Sequence, residues 1–404
     1  MLYFYTMNRV YFDHAATTPV DKRVLEAMLP YFSNSFGNPS SVLIEEGGPP
    51  RQALDEARKK VANLIGARSD EVLFTSSATE SNNLAIKGLA LAHKSKGNRI
   101  LFSEIEHYSI MLQADSLRGL GFEVDFVKVD AHGLIDMAEL KKKVTKGTIL
   151  VSIMHANLEI GTIQPIKEIG RFLKEQGVLF HSDGTGTCGQ ISVNVQELGV
   201  DAMTISGHQF YGPKGAAGLY LRSGVPMRPI LHGGFQEMGY RAGTENVPAI
   251  VGFGEASRLA QVEMEGKVAR VAKLGQKLWA GIASISYLHF TGHPTERLPG
   301  HVSFWIEFVE GESLLLWLNL NGVAASTGSA CASNVLAADE TGLKASHVLT
   351  AVGVPPEICH GSITFSLGRD NTEEEVDYAL SVMPTIVDRL REMSPLYEKE
   401  KGGK

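Results

Sequence analysis

Short apolar runs alternate with helical patterns as far as Val247, and this alternation restricts the possible fold more than any other feature. Residues 149–154 carry no charge, which is typical of a strand covered on both faces of a sheet. Residues 52–65 instead place apolar side chains at helical spacing, and Gly66 ends that helix. Strands that alternate regularly with helices predict an α/β fold with a mostly parallel sheet.

The pattern changes after Val247, which predicts a second and smaller unit. A long helix is predicted over residues 249–284, and strand-like segments follow at 301–306 and 362–367. Helical segments lie between these strands. This arrangement favours a small α+β domain over a continuation of the first sheet.

The length of the chain also indicates two domains. A single core rarely grows beyond about 250–300 residues, and this chain has 404. Thr372 and Glu375 form a capping-box pattern that opens the last long helix. We predict a large domain over residues 19–264 and a small domain formed by residues 1–18 and 265–404.

Composition excludes several classes of protein. The net charge of −7 and the isoelectric point near 6.0 argue against a nucleic-acid-binding protein. No apolar run approaches the length of about 20 residues that a membrane helix needs. Cys188, Cys331 and Cys359 suggest no disulfide framework, which favours a reducing cytoplasm.

Two segments of the first domain carry polar residues that could bind a phosphorylated ligand. Residues 75–81 (TSSATES) join a strand to a helix, where free backbone amides and hydroxyl groups suit a phosphate. A helix cap is the commoner role for such a segment. Asp183 ends a strand at the edge of the sheet where ligands bind, and it could pair with a protonated ring nitrogen.

Two residues of the second domain are candidates for sulfur and carboxylate chemistry. Cys331 lies in the small-residue run STGSACAS, which suits an accessible loop. Cys188 and Cys359 lack such a context and are interpreted as inert structural residues. Arg369 could hold a substrate carboxylate in bidentate geometry, or it could form an ordinary salt bridge.

Several motifs together resemble the pyridoxal phosphate (PLP)-dependent cysteine desulfurases of the nitrogen-fixation and iron–sulfur-assembly type. These enzymes are class-V aminotransferases of fold type I. The motifs, from the start of the chain to its last third, are YFDHAATTPV at 11–20, FGNPSS at 36–41, SGHQFYGPKG at 206–215, RAGTENVP at 241–248 and EGESL at 310–314.

The resemblance implies a homodimer with a PLP pocket at the subunit interface. It assigns cofactor contacts to Ala78, Thr79, His107, Asp183, Ser206, His208 and Thr244. His107 would stack on the ring and Asp183 would bind the pyridine nitrogen. Thr244 would reach the phosphate bound by the partner subunit.

The resemblance also implies a substrate and a route for sulfur. Asn38 and Arg369 would bind L-cysteine, and Cys331 would accept its sulfur as a persulfide. A sulfur-acceptor protein or an iron–sulfur scaffold would then be the partner. No resident metal is expected, although Cys331 could become an iron–sulfur ligand, since thiolates suit such clusters.

Gln209 departs from the family at the position of greatest consequence. The family has a lysine there, whose amine forms a Schiff base with PLP, and a carboxamide nitrogen cannot form that bond. Leu158 replaces an asparagine and Gly186 a glutamine near the expected ring, while Thr364 replaces an arginine. Leu43 and Ser77 are further departures from the family. A pattern spread over so many positions indicates natural divergence rather than a single lysine mutation made in the laboratory.

Three functions remain open after this comparison. The first is a desulfurase-like pseudoenzyme that lacks normal PLP chemistry and acts through Cys331 in sulfur handling, as a persulfide carrier or cluster ligand. The second is an active desulfurase that uses noncovalent PLP. The third is a non-catalytic dimeric scaffold or regulatory subunit. We expect PLP either to be bound without a covalent link at Gln209 or to be absent.

Overall fold

Seven strands form the main sheet of the computed structural model, which describes residues 9–327, 346–355 and 362–402. The described residues form twelve strands, divided among this sheet and two smaller ones. In chain order they are β1 (Val10–Tyr11), β2 (Val72–Thr75), β3 (Arg99–Ser103), β4 (Glu123–Val127), β5 (Thr148–Ser152), β6 (Leu179–Asp183), β7 (Ala202–Ser206), β8 (Ala217–Leu221), β9 (Leu288–Phe290), β10 (His301–Ile306), β11 (Val323–Ala324) and β12 (Ser362–Ser366).

The main sheet has the order β2-β8-β7-β6-β5-β3-β4. Strands β3 to β7 pair in parallel, and β8 is antiparallel to both of its neighbours. Every residue of β5, β7 and β8 is buried, as expected for strands with both faces covered. The predicted α/β fold with a mostly parallel sheet is confirmed.

Fourteen helices surround the sheets within the described residues. They are α1 (Lys22–Met28), α2 (Pro30–Ser33), α3 (Gly48–Leu64), α4 (Ala78–His93), α5 (Tyr108–Met111), α6 (Gln113–Gly119), α7 (Met137–Lys143), α8 (Ile166–Gln176), α9 (Val195–Leu198), α10 (Val247–Ile282), α11 (Gly311–Leu320), α12 (His347–Ala351), α13 (Glu373–Glu392) and α14 (Pro395–Gly402). In the part of the chain that the structure describes, no helix is long and apolar enough to cross a membrane.

The long helix α10 contributes to two separate apolar cores. Its first half packs Phe253 and Leu259 into the core beneath the main sheet. Its second half packs Leu274 and Leu278 into a core that also contains Phe12 from the N-terminal segment. The helix runs without interruption past residue 264. The division proposed there stays a prediction.

The second core lies against a three-stranded antiparallel sheet in which β10 is central and β9 and β12 flank it. Helix α13 covers this core, and its first turn has the predicted capping box between Thr372 and Glu375. Strand β1 pairs in parallel with β11 and so joins the N-terminal segment to this half of the molecule.

Helices α3 and α10 approach each other most closely at Gly254. A methyl group on Gly254 would lie 2.6 Å from Cα of Ala57, a backbone atom that cannot move independently. A glycine in a helix is otherwise unfavourable, because alanine has the higher helix propensity. Close packing of the two helices therefore explains Gly254.

We predict that Gly254→Ala lowers the free energy of unfolding by about 1–2 kcal/mol, because overpacking outweighs the gain in propensity. Gly266, in the same helix, is the matched control, because a methyl group there would meet no atom within 4 Å. Gly266→Ala should raise the free energy by up to about 1 kcal/mol. Urea unfolding curves measure both. Equal effects of the two changes would contradict the close approach.

Candidate functional site

The candidate site lies at the edge of the main sheet where the parallel strands end. Asp183 is the last residue of β6 and Ser206 is the last residue of β7, and these two strands are neighbours. Helix α4 begins at the same edge, because β2 runs parallel to β7 on the far side of β8. Carboxyl ends of adjacent parallel strands are the usual ligand-binding edge of such a sheet.

A chain of hydrogen bonds connects Asp183 to His107. Asn82 on α4 donates from Nδ2 to Asp183 Oδ2 and to Ser109 Oγ, each at 2.8 Å. Ser109 Oγ lies 2.8 Å from His107 Nδ1, which also accepts from the Ser109 backbone amide. Since His107 Nδ1 accepts, a neutral His107 carries its proton on Nε2. The network holds the aspartate and the imidazole in a defined arrangement.

Two polar atoms beside this network have no partner. Asn82 Oδ1 and Thr185 Oγ1 are buried, and neither has a hydrogen bond within the described residues. Asp183 Oδ1 accepts from the Thr185 amide at 2.9 Å. Buried polar atoms are normally paired, so these two suit a polar ligand next to Asp183.

The first turn of α4 provides donors for an anion. Ser77 caps the helix by accepting from the Glu80 amide at 3.1 Å, which confirms the ordinary capping role of this segment. The amides of Ala78 and Thr79 have no acceptor in the described part of the chain. Thr79 is exposed. Capping therefore leaves two backbone donors at the positive end of a 16-residue helix.

Gln209 is almost fully buried in the turn after β7, with 5% of its surface exposed. Its Nε2 donates to the carbonyl oxygens of Ala15 at 3.0 Å and Ala16 at 3.5 Å. The backbone carbonyl oxygen of Gln209 accepts from Gln190 Nε2 at 2.7 Å. The carboxamide thus connects the turn to the N-terminal segment.

His208 is attached to the same segment. Its Nδ1 lies 3.1 Å from Thr17 Oγ1, and its carbonyl oxygen accepts from both the amide and the hydroxyl of Thr18. Burial, and then the positive charge of Lys214, lower the pKa of His208. Its neutral imidazole is therefore favoured in the folded protein.

Leu158 and Gly186 fit each other sterically. A methyl group on Gly186 would lie 3.2 Å from both Cγ and Cδ2 of Leu158. The leucine thus occupies the space that a longer side chain at residue 186 would need. The structure places an apolar contact at the two positions where the resemblance predicts polar side chains.

A contact between the adjacent loop and β12 was missed by sequence reasoning. Glu159 is half-buried, and the loss of hydration raises its pKa to about 8, partly offset by a hydrogen bond from Ser346. Thr364 Oγ1 donates to the Glu159 carbonyl oxygen at 2.9 Å. The positions are far apart in sequence, so no local pattern indicated the contact.

Arg369 lies among acidic side chains. Its Nη2 is 2.5 Å from Asp21 Oδ2 and its Nη1 is 3.6 Å from Glu263 Oε2. The guanidinium also stacks on Tyr211, 3.9 Å from the ring centroid. The salt-bridge alternative is therefore present in the structure, and substrate binding by Arg369 stays a prediction.

The remaining predicted residues are not joined to this network. Asn38 and Thr244 are exposed, and in the described ranges neither has a hydrogen bond to the residues around Asp183. Cys188 is buried, and burial raises the pKa of its thiol to about 12, which agrees with an inert role. Cys331 and Cys359 lie outside the described residues. No cluster of three or more metal-ligating side chains occurs in the described ranges.

Comparison with known proteins identifies relatives along nearly the whole chain. Residues 10–379 match the family model described as Aminotransferase class-V. A cysteine desulfurase IscS from Methanosarcina thermophila is 51% identical, and the match covers 97% of this chain and 95% of the relative. A cysteine desulfurase IscS from Dictyoglomus turgidum is 48% identical, with 97% of each chain covered. The solved structure of a NifS-like protein superposes with a TM-score of 0.87 at 38% identity, covering 94% of this chain and 99% of that one.

We predict energetic coupling between residues 158 and 186. Gly186→Gln should destabilise the protein by about 1–3 kcal/mol through overpacking, and Leu158→Asn should recover at least about 0.5 kcal/mol of that loss. A double-mutant cycle of urea unfolding measures the coupling. The control pair is Gly186→Gln with Leu316→Asn, because Leu316 is an exposed residue of α11. The changes in unfolding free energy of this pair should be additive. Additivity in the first pair would contradict the steric fit.

Proposed function

Because this chain belongs to the class-V aminotransferase family, we propose that it mobilises sulfur from L-cysteine with PLP held in the site noncovalently. The observation that carries the proposal is the environment of Gln209. Its carboxamide donates to Ala15 and Ala16, so the residue has neither the amine nor the freedom to form a covalent bond with the cofactor.

The described residues fit a noncovalently bound PLP. The amides of Ala78 and Thr79 would hold the phosphate, with Ser206 and His208 beside it. The carboxylate of Asp183 would pair with the pyridine nitrogen, and His107 would cover the ring. PLP, when bound, supplies an electron sink for bonds at the substrate α-carbon.

The chain must supply proton transfer without a lysine at residue 209. His107 is exposed at the same edge of the sheet, and its Nδ1 is occupied by Ser109. Its Nε2 is therefore the atom proposed to donate or accept a proton, the role that histidine fills most often in enzymes. Asn82 and Ser109 act as positioning residues that fix the tautomer of His107.

The match to whole-length relatives supports an active enzyme rather than a scaffold without sulfur chemistry. Two relatives named cysteine desulfurase match over at least 95% of both sequences. A second candidate function is a persulfide carrier or iron–sulfur ligand acting through Cys331. The residue context STGSACAS favours it, because small neighbours leave a thiolate accessible. The partner would then be a sulfur acceptor or an iron–sulfur scaffold in the cytoplasm.

A homodimer is part of the proposal. Leu43 and Phe235 expose 96% and 93% of their surfaces. Val42, Phe235 and Met238 line an open cavity of about 650 Å³. Large exposed apolar side chains commonly mark a protein interface. A second copy of the chain would cover them and bring Thr244 towards the phosphate of its partner.

We predict that native protein incubated with PLP carries no borohydride-stable pyridoxyl group at residue 209. The PLP absorbance should disappear after dialysis, because no covalent bond retains it. Peptide mass spectrometry measures the adduct, and Gln209→Lys is the positive control. A pyridoxyl adduct on Lys214 or another lysine of the site would contradict the noncovalent proposal.

The same variants should differ in sulfide release. We expect Gln209→Lys to release sulfide from cysteine at least about 10²-fold faster than the native chain, because an added base contributes about 10²–10⁴-fold. Adding Leu158→Asn and Gly186→Gln should increase the rate further. Equal rates for the native chain and Gln209→Lys would show that residue 209 is not limiting.

We predict that Cys331→Ser abolishes protein-bound persulfide after exposure to cysteine and PLP, whereas Cys359→Ser does not. Alkylation followed by mass spectrometry locates the persulfide. Cluster assembly with an iron–sulfur scaffold is the second measurement, and it should also be lost. If Cys331→Ser leaves both measurements unchanged, Cys331 has no role in sulfur transfer.

A further inference from the structure

A second cavity lies behind the turn that carries Gln209. It has a volume of about 400 Å³ and is open to solvent. Four basic side chains and two acidic ones line it, together with a glycine: Arg23, Lys267, Arg270, Arg369, Glu263, Asp370 and Gly266. The basic residues come from α1, α10 and the segment after β12. None of them belongs to the phosphate-binding turn of α4.

Lys267 differs from the other basic side chains in the contacts of its ammonium group. Its Nζ donates to the Gly189 carbonyl oxygen at 2.9 Å and lies 5.7 Å from the Tyr211 ring centroid. No carboxylate lies within ion-pair distance of it among the described residues. Burial, and then repulsion from Arg369, lower its pKa to about 7. Lys267 is half-buried, and a partly desolvated ammonium group without an ion pair is stabilised when an anion compensates its charge.

The other basic groups differ in how they are paired. Arg23 and Arg369 share Asp21 and Glu263, and Arg369 Nε also lies 3.4 Å from Asp370 Oδ2, so the charges of these two arginines are balanced by carboxylates. Arg270 is exposed and has no hydrogen-bond or ion-pair partner in the described ranges. Lys267 and Arg270 are thus two basic side chains without an ion-pair partner in the described ranges, three residues apart on α10. Side chains at this spacing lie on the same face of a helix.

We propose that this cavity binds a small phosphate-type oxyanion, held by Lys267 and Arg270. The guanidinium offers a planar pair of donors and the ammonium a compact charge, and both suit a phosphate group. A dianion would also relieve the repulsion between Lys267 and Arg369. The proposal does not depend on the proposed PLP chemistry, because Lys267 and Arg270 are not among the residues assigned to PLP. Arg369, which is predicted to bind the substrate, also lines the cavity.

The cavity is nevertheless connected to the turn of Gln209. The acceptor of Lys267 is Gly189, and the next residue, Gln190, donates to the Gln209 carbonyl oxygen at 2.7 Å. Tyr211, two residues after Gln209, is stacked by Arg369. An anion bound at Lys267 would therefore lie next to residues 189 and 190, which hold the backbone of the Gln209 turn.

Isothermal titration with inorganic phosphate, in chloride buffer of matched ionic strength, tests the proposal on the full-length chain. Arg270→Gln and Lys267→Met should each weaken phosphate binding at least about tenfold, since about 1.4 kcal/mol corresponds to a factor of ten. Lys273→Gln, which changes an exposed lysine of the same helix, is the matched control and should bind normally. Arg270→Lys should recover part of the affinity. Circular dichroism verifies that each variant is folded.

Ala78→Pro distinguishes this cavity from the α4 turn, because it removes a backbone donor at the first helical position, where proline is tolerated. Phosphate binding that survives Ala78→Pro but is lost in Arg270→Gln supports the proposal. Binding that is lost in Ala78→Pro and unchanged in Arg270→Gln overturns it, as does the absence of phosphate binding above the effect of ionic strength. Comparison with glycerol phosphate identifies the source of the anion: tighter binding of the ester indicates an organic phosphate, and equal binding indicates the free anion.

Discussion

The attachment of residues 13–21 to the turn at 208–211 fixes the part of the candidate site that contains His208 and Gln209. Thr18 bonds to the His208 carbonyl oxygen and accepts from the Tyr211 amide, while the Asp21 amide donates to Tyr211. The same segment pairs with Ser366 of β12 through His14 and Ala15. One stretch of backbone therefore joins the ligand edge of the main sheet to the smaller sheet. Tyr211 adopts a φ of 68°, a left-handed conformation that these bonds support.

Gln209 takes part in this attachment through its side chain. A lysine amine at this depth would need a partner for its charge, whereas the carboxamide finds two neutral carbonyl acceptors in Ala15 and Ala16. Leu158 and Gly186 make a second close contact, an apolar one. The backbone amides of Ala78 and Thr79 have no acceptor within the described residues.

Sequence reasoning predicted the parts of this site that depend on local pattern. The cap before α4, the placement of Asp183 at a strand end and the capping box of α13 each follow from a few adjacent residues. It missed the link from Asn82 through Ser109 to His107, because the partners lie in different elements. It also missed β8, whose five residues include Gly218, a poor strand former.

By itself the sequence determined the fold class, the family and the chemical limit at residue 209, because these depend on periodicity, motif and residue type. Tertiary structure alone decided where charge is balanced. Arg369 can serve a carboxylate ligand in principle, yet it meets Asp21, 348 positions away, at 2.5 Å. Among the residues that the structure describes, Lys267 and Arg270 have no carboxylate within ion-pair distance. Local sequence cannot specify such pairings, because an ion pair depends on atoms that only folding brings within a few ångströms.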